Sequence, residues 1–180
     1  MRRVFGALDA RWDPVVSWRG GELDRLLDER HAAIVAETVA RVRGRGWQID
    51  LEVTYSVFGE RGSLDGLAWR EAGSVVLVVE VKSELTSLEG TLRKLDEKVR
   101  LVRTTLARDR FGPGDRTVSR LLILPATSVA RRQVFRAGAV LDAALPQRGA
   151  DVRDWLRRPV RELRGIWFVP VTNRRSSRNR

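Results

Sequence analysis

An α/β fold with a mixed sheet and flanking helices, in the order αβββαβ with trailing elements, is what this sequence predicts. Three observations carry the expectation. The run Ser74-Val75-Val76-Leu77-Val78-Val79-Glu80-Val81-Lys82 is apolar and β-branched until its charged end, as a strand buried on both faces reads. Stretches on either side repeat apolar residues at spacings of three and four, as amphipathic helices do. Short glycine-containing links join the run to two strand patterns upstream, so three sequential strands form an antiparallel meander.

Taken in order, residues 1–20 hold Trp12, Pro14 and Trp18 without periodicity and read as an N-terminal extension. The domain proper is expected over 21–171, with its core at 22–125. From Glu22 to Arg43, Leu23, Leu26, Leu27, Ile34, Val35, Thr38, Val39 and Val42 define one apolar helix face. Gly44 and Gly46 end it, and Arg41, Arg43 and Arg45 suit the negative end of its dipole. Trp47, Ile49, Leu51, Val53, Tyr55 and Val57 then alternate with more polar neighbours, the pattern of a half-buried strand. Gly59 to Gly62 makes a turn, Ser63 to Trp69 a second strand, and Arg70 to Gly73 the hairpin into the Val-rich third.

Thr86 or Ser87 can cap the next helix, in which Leu88, Leu92, Leu95, Val99, Val102 and Leu106 keep a helical stripe. The loop Arg110 to Asp115 stops it. Leu121 to Leu124 is a short buried strand, and the long helical crossover before it predicts a parallel pairing. Over 126–171 the pattern gives a basic helix from Thr127 to Leu145 ended by Pro146, a short helix from Asp151 to Arg157, and a last strand near Ile166 to Val171. Residues 172–180 carry four arginines and no apolar anchor, and read as a disordered basic tail.

The chain of 180 residues has no cysteine, which removes disulfides and thiolate metal sites from consideration. No apolar segment approaches the roughly 20 residues a membrane span needs, and nothing after Met1 resembles a secretory leader. A cytoplasmic protein is the expectation. Net charge is +11, which points to a polyanionic partner such as nucleic acid. Of 34 basic residues only Lys82, Lys94 and Lys98 are lysines, all within one 17-residue window that starts at the charged strand end. A chain that writes arginine nearly everywhere has kept the compact amine here.

Glu80 and Lys82 share one face of their strand, roughly 6–7 Å apart. Asp65 lies mid-strand between Leu64 and Leu67 and can face Glu80 across the hairpin. Two carboxylates converging at a strand end can hold a hard dication such as Mg²⁺, and Lys82 beside them can orient or deprotonate a water. A buried acid–base pair is a poor stabiliser, so its presence asks for a reason. Arg131, Arg132, Lys94 and Lys98 are candidate phosphate contacts; for the two helix lysines a plain solvated surface is the competing reading. His31, the only histidine, sits among Ala32, Ala33 and Ile34 and reads as helix packing.

Asp65 followed by Glu80-Val81-Lys82, in an αβββαβ order, resembles the PD-(D/E)XK superfamily of restriction-endonuclease-like nucleases, over roughly Glu22 to Pro125. The stretch Glu60-Arg61-Gly62-Ser63-Leu64-Asp65-Gly66-Leu67-Ala68-Trp69 is similar to that around the first Asp in Holliday-junction-resolvase-like members, although Leu64 stands where the motif name has Pro. The resemblance implies a restriction-endonuclease-like core and a metal-dependent deoxyribonuclease using Mg²⁺ or Mn²⁺. It implies Asp65 and Glu80 as metal ligands, the Val81 carbonyl as a further ligand and Lys82 as the catalytic lysine. It adds a glutamate on the first helix, Glu37 with Glu29 in reserve, and a basic residue on the following helix, Lys94 or Lys98. The implied partner is DNA, with a homodimer as one permitted assembly and no membrane. The alternative is a non-cleaving DNA-binding or regulatory module on the same fold, and an RNA-directed nuclease stands third.

Overall fold

A computed structural model describes residues 20–57 and 59–171, with side chains from residue 25 onward. The expected extension and basic tail lie outside the described residues, apart from Gly20. Helix α1 (Gly20–Arg43) leads into three strands, β1 (Gln48–Val57), β2 (Glu60–Arg70) and β3 (Val75–Val81). Helix α2 (Leu88–Leu101) continues through one π-helical turn, Val102–Leu106, into α3 (Ala107–Phe111). Strand β4 (Thr117–Pro125) follows, then α4 (Ser128–Arg136), α5 (Gly138–Ala144), the two-residue strand β5 (Gln147–Arg148), α6 (Gly149–Arg157) and β6 (Arg164–Val169).

The strands form one six-stranded mixed sheet in the order β1-β2-β3-β4-β6-β5. The β1–β2 and β2–β3 pairs are antiparallel, as the short links required, and β3–β4 is parallel, as the helical crossover required. Ser87, one of the two expected caps, accepts from the Gly90 N–H at 3.2 Å. The basic helix expected from Thr127 to Leu145 is two helices, divided at Ala137.

Helices cover both faces of the sheet, which is why β3 reads as a continuous apolar run. Val76 and Val78 join a core with Leu95, Val99 and Val102 below α2 and with Val134 and Leu141 from α4 and α5. Val75, Leu77, Val79 and Val81 face the opposite way, into a core with Ile34 and Val42 of α1 and Leu156 of α6. Among the described residues no helix is long and apolar enough to cross a membrane.

The structure corrects the reading of β1 as one alternating face. Trp47 and Ile49 pack in the α1-side core, whereas Tyr55, with Val53 and Val57, packs in the α2-side core, and Leu51 is 42% exposed. Glu52 is the cause. Its φ of +50° is left-handed, and the ladder pairs Leu51 with Gly66 and Val53 with Leu64 but skips the Glu52–Asp65 step. The strand turns over there, so period-2 alternation survives on each side of Glu52 but not through it. On β2 the same inversion lets Leu64 and Leu67, three apart, reach one core, with Asp65 at the turning point. A left-handed non-glycine residue costs roughly 1–2 kcal/mol, and glycine gives back roughly 0.5–1 of that in a strand. Glu52→Gly is therefore expected to stabilise the domain by about 0.5–1 kcal/mol in denaturant unfolding; a lower midpoint would show that the Glu52 side chain holds the kink.

Candidate functional site

The parity of β3 separates its last residues. Val79 and Val81 point into the α1-side core, so Glu80 points to the α2 side, where it is 1% exposed. Lys82, just past the strand, lies on the same side and places Nζ 2.7 Å from Glu80 Oε1. The β2–β3 register pairs Gly66 with Val79, which carries Asp65 one step further, opposite Glu80. Asp65 Oδ2 accepts from the Val81 N–H at 2.7 Å, so the backbone of the Glu80 strand holds the Asp65 carboxylate in place. Residues fifteen positions apart in sequence thus meet as the sequence reading expected.

Lys98 completes the group. From α2 its Nζ donates to Glu80 Oε2 and lies 3.5 Å from Asp65 Oδ1. Lys98 is 8% exposed and its amine is taken by two acids, so it is neither the solvated helix residue nor the free phosphate contact expected of it. A signal for this was present in the sequence: Thr91, Leu95, Lys98 and Val102 follow spacings of four, three and four, one helix face, and all four are buried. Lys94 points away and is exposed.

The result is a cluster of two carboxylates and two amines, with Glu80 and Lys98 buried, Asp65 half-buried and Lys82 open to solvent, its side chain 34% exposed. Taking an ion out of water asks for partners, and the two buried members have them: Glu80 meets both amines and Lys98 both acids. Tyr55 adjoins the group, its hydroxyl 3.2 Å from Glu97 Oε1 on the helix turn that carries Lys98. Burial, then Glu97 and more distantly Glu60 and Glu80, pushes the phenol up from its ordinary value, so Tyr55 stays a hydrogen-bond donor.

The structure does not bring the first-helix glutamates to this site. Glu37 pairs with Arg41 one turn on, at 2.5 Å, and α1 packs on the sheet face opposite to Glu80. Glu29 pairs with Arg25 at 3.6 Å on an exposed surface. His31 is half-buried on α1. The link from α1 to the site edge is instead Arg30, 3.6 Å from Glu84, two residues past Lys82. Arg131 and Arg132 are exposed on α4. Among the described residues no three His, Cys, Asp or Glu side chains converge, so the acid count of the cluster is two.

Those two acids nevertheless define a cation position. Asp65 Oδ1 and Glu80 Oε2, from different strands, both address one ammonium nitrogen. Two hard oxygens converging on one point are a donor set that suits Mg²⁺ or Mn²⁺, with the Val81 carbonyl next in the chain. The chain matches no model of a known protein family and no curated protein. What the fold and site define is an α/β domain with a buried acid–amine cluster where β2 and β3 meet α2.

Proposed function

We propose that this domain is a metal-dependent deoxyribonuclease that hydrolyses DNA phosphodiester bonds at the Asp65–Glu80–Lys82 edge, on a restriction-endonuclease-like core. The carrying observation is the convergence of Asp65 Oδ1 and Glu80 Oε2 on a single cation position beside Lys82. The αβββαβ element order, the parallel β3–β4 pair and the net charge of +11 support the same reading.

Asp65 and Glu80, with the Val81 carbonyl, are the residues that would hold Mg²⁺ or Mn²⁺. When bound, such an ion supplies charge neutralisation of the phosphate and a more acidic water. The protein's own part is positional. The Val81 N–H fixes Asp65, and the antiparallel register sets Glu80 against it. Lys82, the most solvent-accessible member, is placed to orient a water toward phosphorus and to hold a proton at Nζ. The sheet end excludes water from Glu80, which strengthens each of these interactions.

A second reading has its own observation: Lys98 already fills the cation position, as a self-contained ion cluster in a non-cleaving DNA-binding or regulatory module would. A cleavage assay on linear, nicked, branched and single-stranded DNA, with Mg²⁺, with Mn²⁺ and with chelator, separates the two. Metal-dependent products on any of these substrates are expected. DNA binding with no product, together with no heat of metal binding, would favour the module. Because Glu37 is paired away from the cluster, Glu37→Gln is expected to leave cleavage within about twofold of wild type.

A further inference from the structure

Helix α4 carries a surface that the cluster does not use. Phe135 is 86% exposed, on a nine-residue helix whose other long residues include Arg131, Arg132 and Arg136. Arg131 and Arg132 precede Phe135 by four and three positions, so they flank its ring on the helix surface. No ion pair among the described residues involves these three arginines. Arg131 instead lies over the ring of Phe168, 4.6 Å from its centroid. Phe135 and Phe168 line the same open groove of about 370 Å³ as Arg131 and Val134, together with Asp142, whose charge is answered by Arg148.

The position of α4 is as informative as its composition. β3 and β4 run parallel, and the Lys82 N–H donates to the Ile123 carbonyl at 3.0 Å, so both strands end at the sheet edge that carries the cluster. Thr127 caps α4 directly beyond that edge, accepting from the Ala130 N–H. Phe135 stands about 12 Å along the helix axis from there. α4 also packs on the α2 side of the sheet, the side to which Glu80 points.

We propose that α4 is a docking surface for an unpaired stretch of a nucleic-acid strand, with a base stacked on Phe135 and phosphates held by Arg131, Arg132 and Arg136. An exposed aromatic ring among unpaired guanidinium groups has the two parts such binding needs: a π-face that accepts any base and a positive track for the backbone. A duplex keeps its bases stacked internally and offers no free face to Phe135, so the surface selects single strands, frayed ends and branch points. This surface acts whether or not the neighbouring edge cuts.

The test is fluorescence anisotropy of the full chain in chelator, with labelled oligo-dT, oligo-U and duplex DNA of about 20 nucleotides, longer than the roughly 4–16 nucleotides one such surface covers. Wild type is expected to prefer single strand to duplex. Phe135→Ala should weaken single-strand binding about tenfold and duplex binding little, with an unchanged unfolding midpoint, and Phe135→Trp should retain affinity. Arg132→Gln should weaken binding to all three and reduce the salt slope by about one. Preference for oligo-U over oligo-dT, with the same Phe135 dependence, would sustain the surface and assign it to RNA. Unchanged single-strand affinity in Phe135→Ala would overturn the proposal. So would a Phe135→Ala protein whose only change is its mass by light scattering, which would mark the ring as a contact between copies of the chain.

Discussion

Lys98→Met is expected to cost about 3 kcal/mol of stability. Methionine keeps the length of the side chain on α2 but removes the one charge that answers both Asp65 and Glu80. Glu80 stays 1% exposed with only Lys82 beside it, and breaking a buried ion network from one side typically costs 3–5 kcal/mol. Urea unfolding at neutral pH measures it, with an unchanged denaturant slope as the sign that the fold persists. The same variant tests whether the two acids can hold a metal ion once the amine is gone. A divalent ion that can take the vacated cation position stabilises the folded variant by RT ln(1 + [L]/Kd), about 2.7 kcal/mol at a hundredfold excess over Kd. Millimolar Mg²⁺ or Mn²⁺ should therefore raise the midpoint of Lys98→Met more than that of wild type. A variant as stable as wild type would mean that Lys98 does not hold the acids together.

Lys82→Ala is expected to reduce metal-dependent cleavage by at least about a hundredfold, the lower end of what a positioned proton-transfer group contributes. Its side chain is 34% exposed, so truncation leaves stability within about 1 kcal/mol, and metal and DNA binding persist. Asp65→Asn should lose cleavage by a different route. The amide can still accept from the Val81 N–H, but it no longer presents a charged oxygen to the cation position, so calorimetric metal binding falls with activity. Cleavage by both variants at the wild-type rate would put the chemistry elsewhere on the molecule.

Much of the architecture was legible because each element answers to a local rule. The run Val75–Val81 had to be doubly covered, the short links had to give antiparallel neighbours, and the long crossover had to return β4 parallel. The interruptions were less legible. Nothing in Glu52 itself marks it as left-handed, and the stripe running through Val99 and Val102 to Leu106 hides a π-helical turn. At Glu52 the strand crosses from one core to the other, and that packing overrides local preference.

The site divides in the same way. Period 2 along β3 put Glu80 and Lys82 on one face, and hairpin register made Asp65 their neighbour, so these three depended on backbone geometry that residue spacing encodes. Lys98 and Glu37 depended on which face of the sheet each helix covers, and spacing along a helix is silent on that. α2 lies on the Glu80 side and delivers a buried ammonium to both acids; α1 lies on the other and leaves Glu37 to Arg41. The strand that carries the charges, and the residues that share its face, follow from residue spacing alone. Which helix closes over them is a matter of packing, set by how two apolar cores are shared between opposite sides of one sheet.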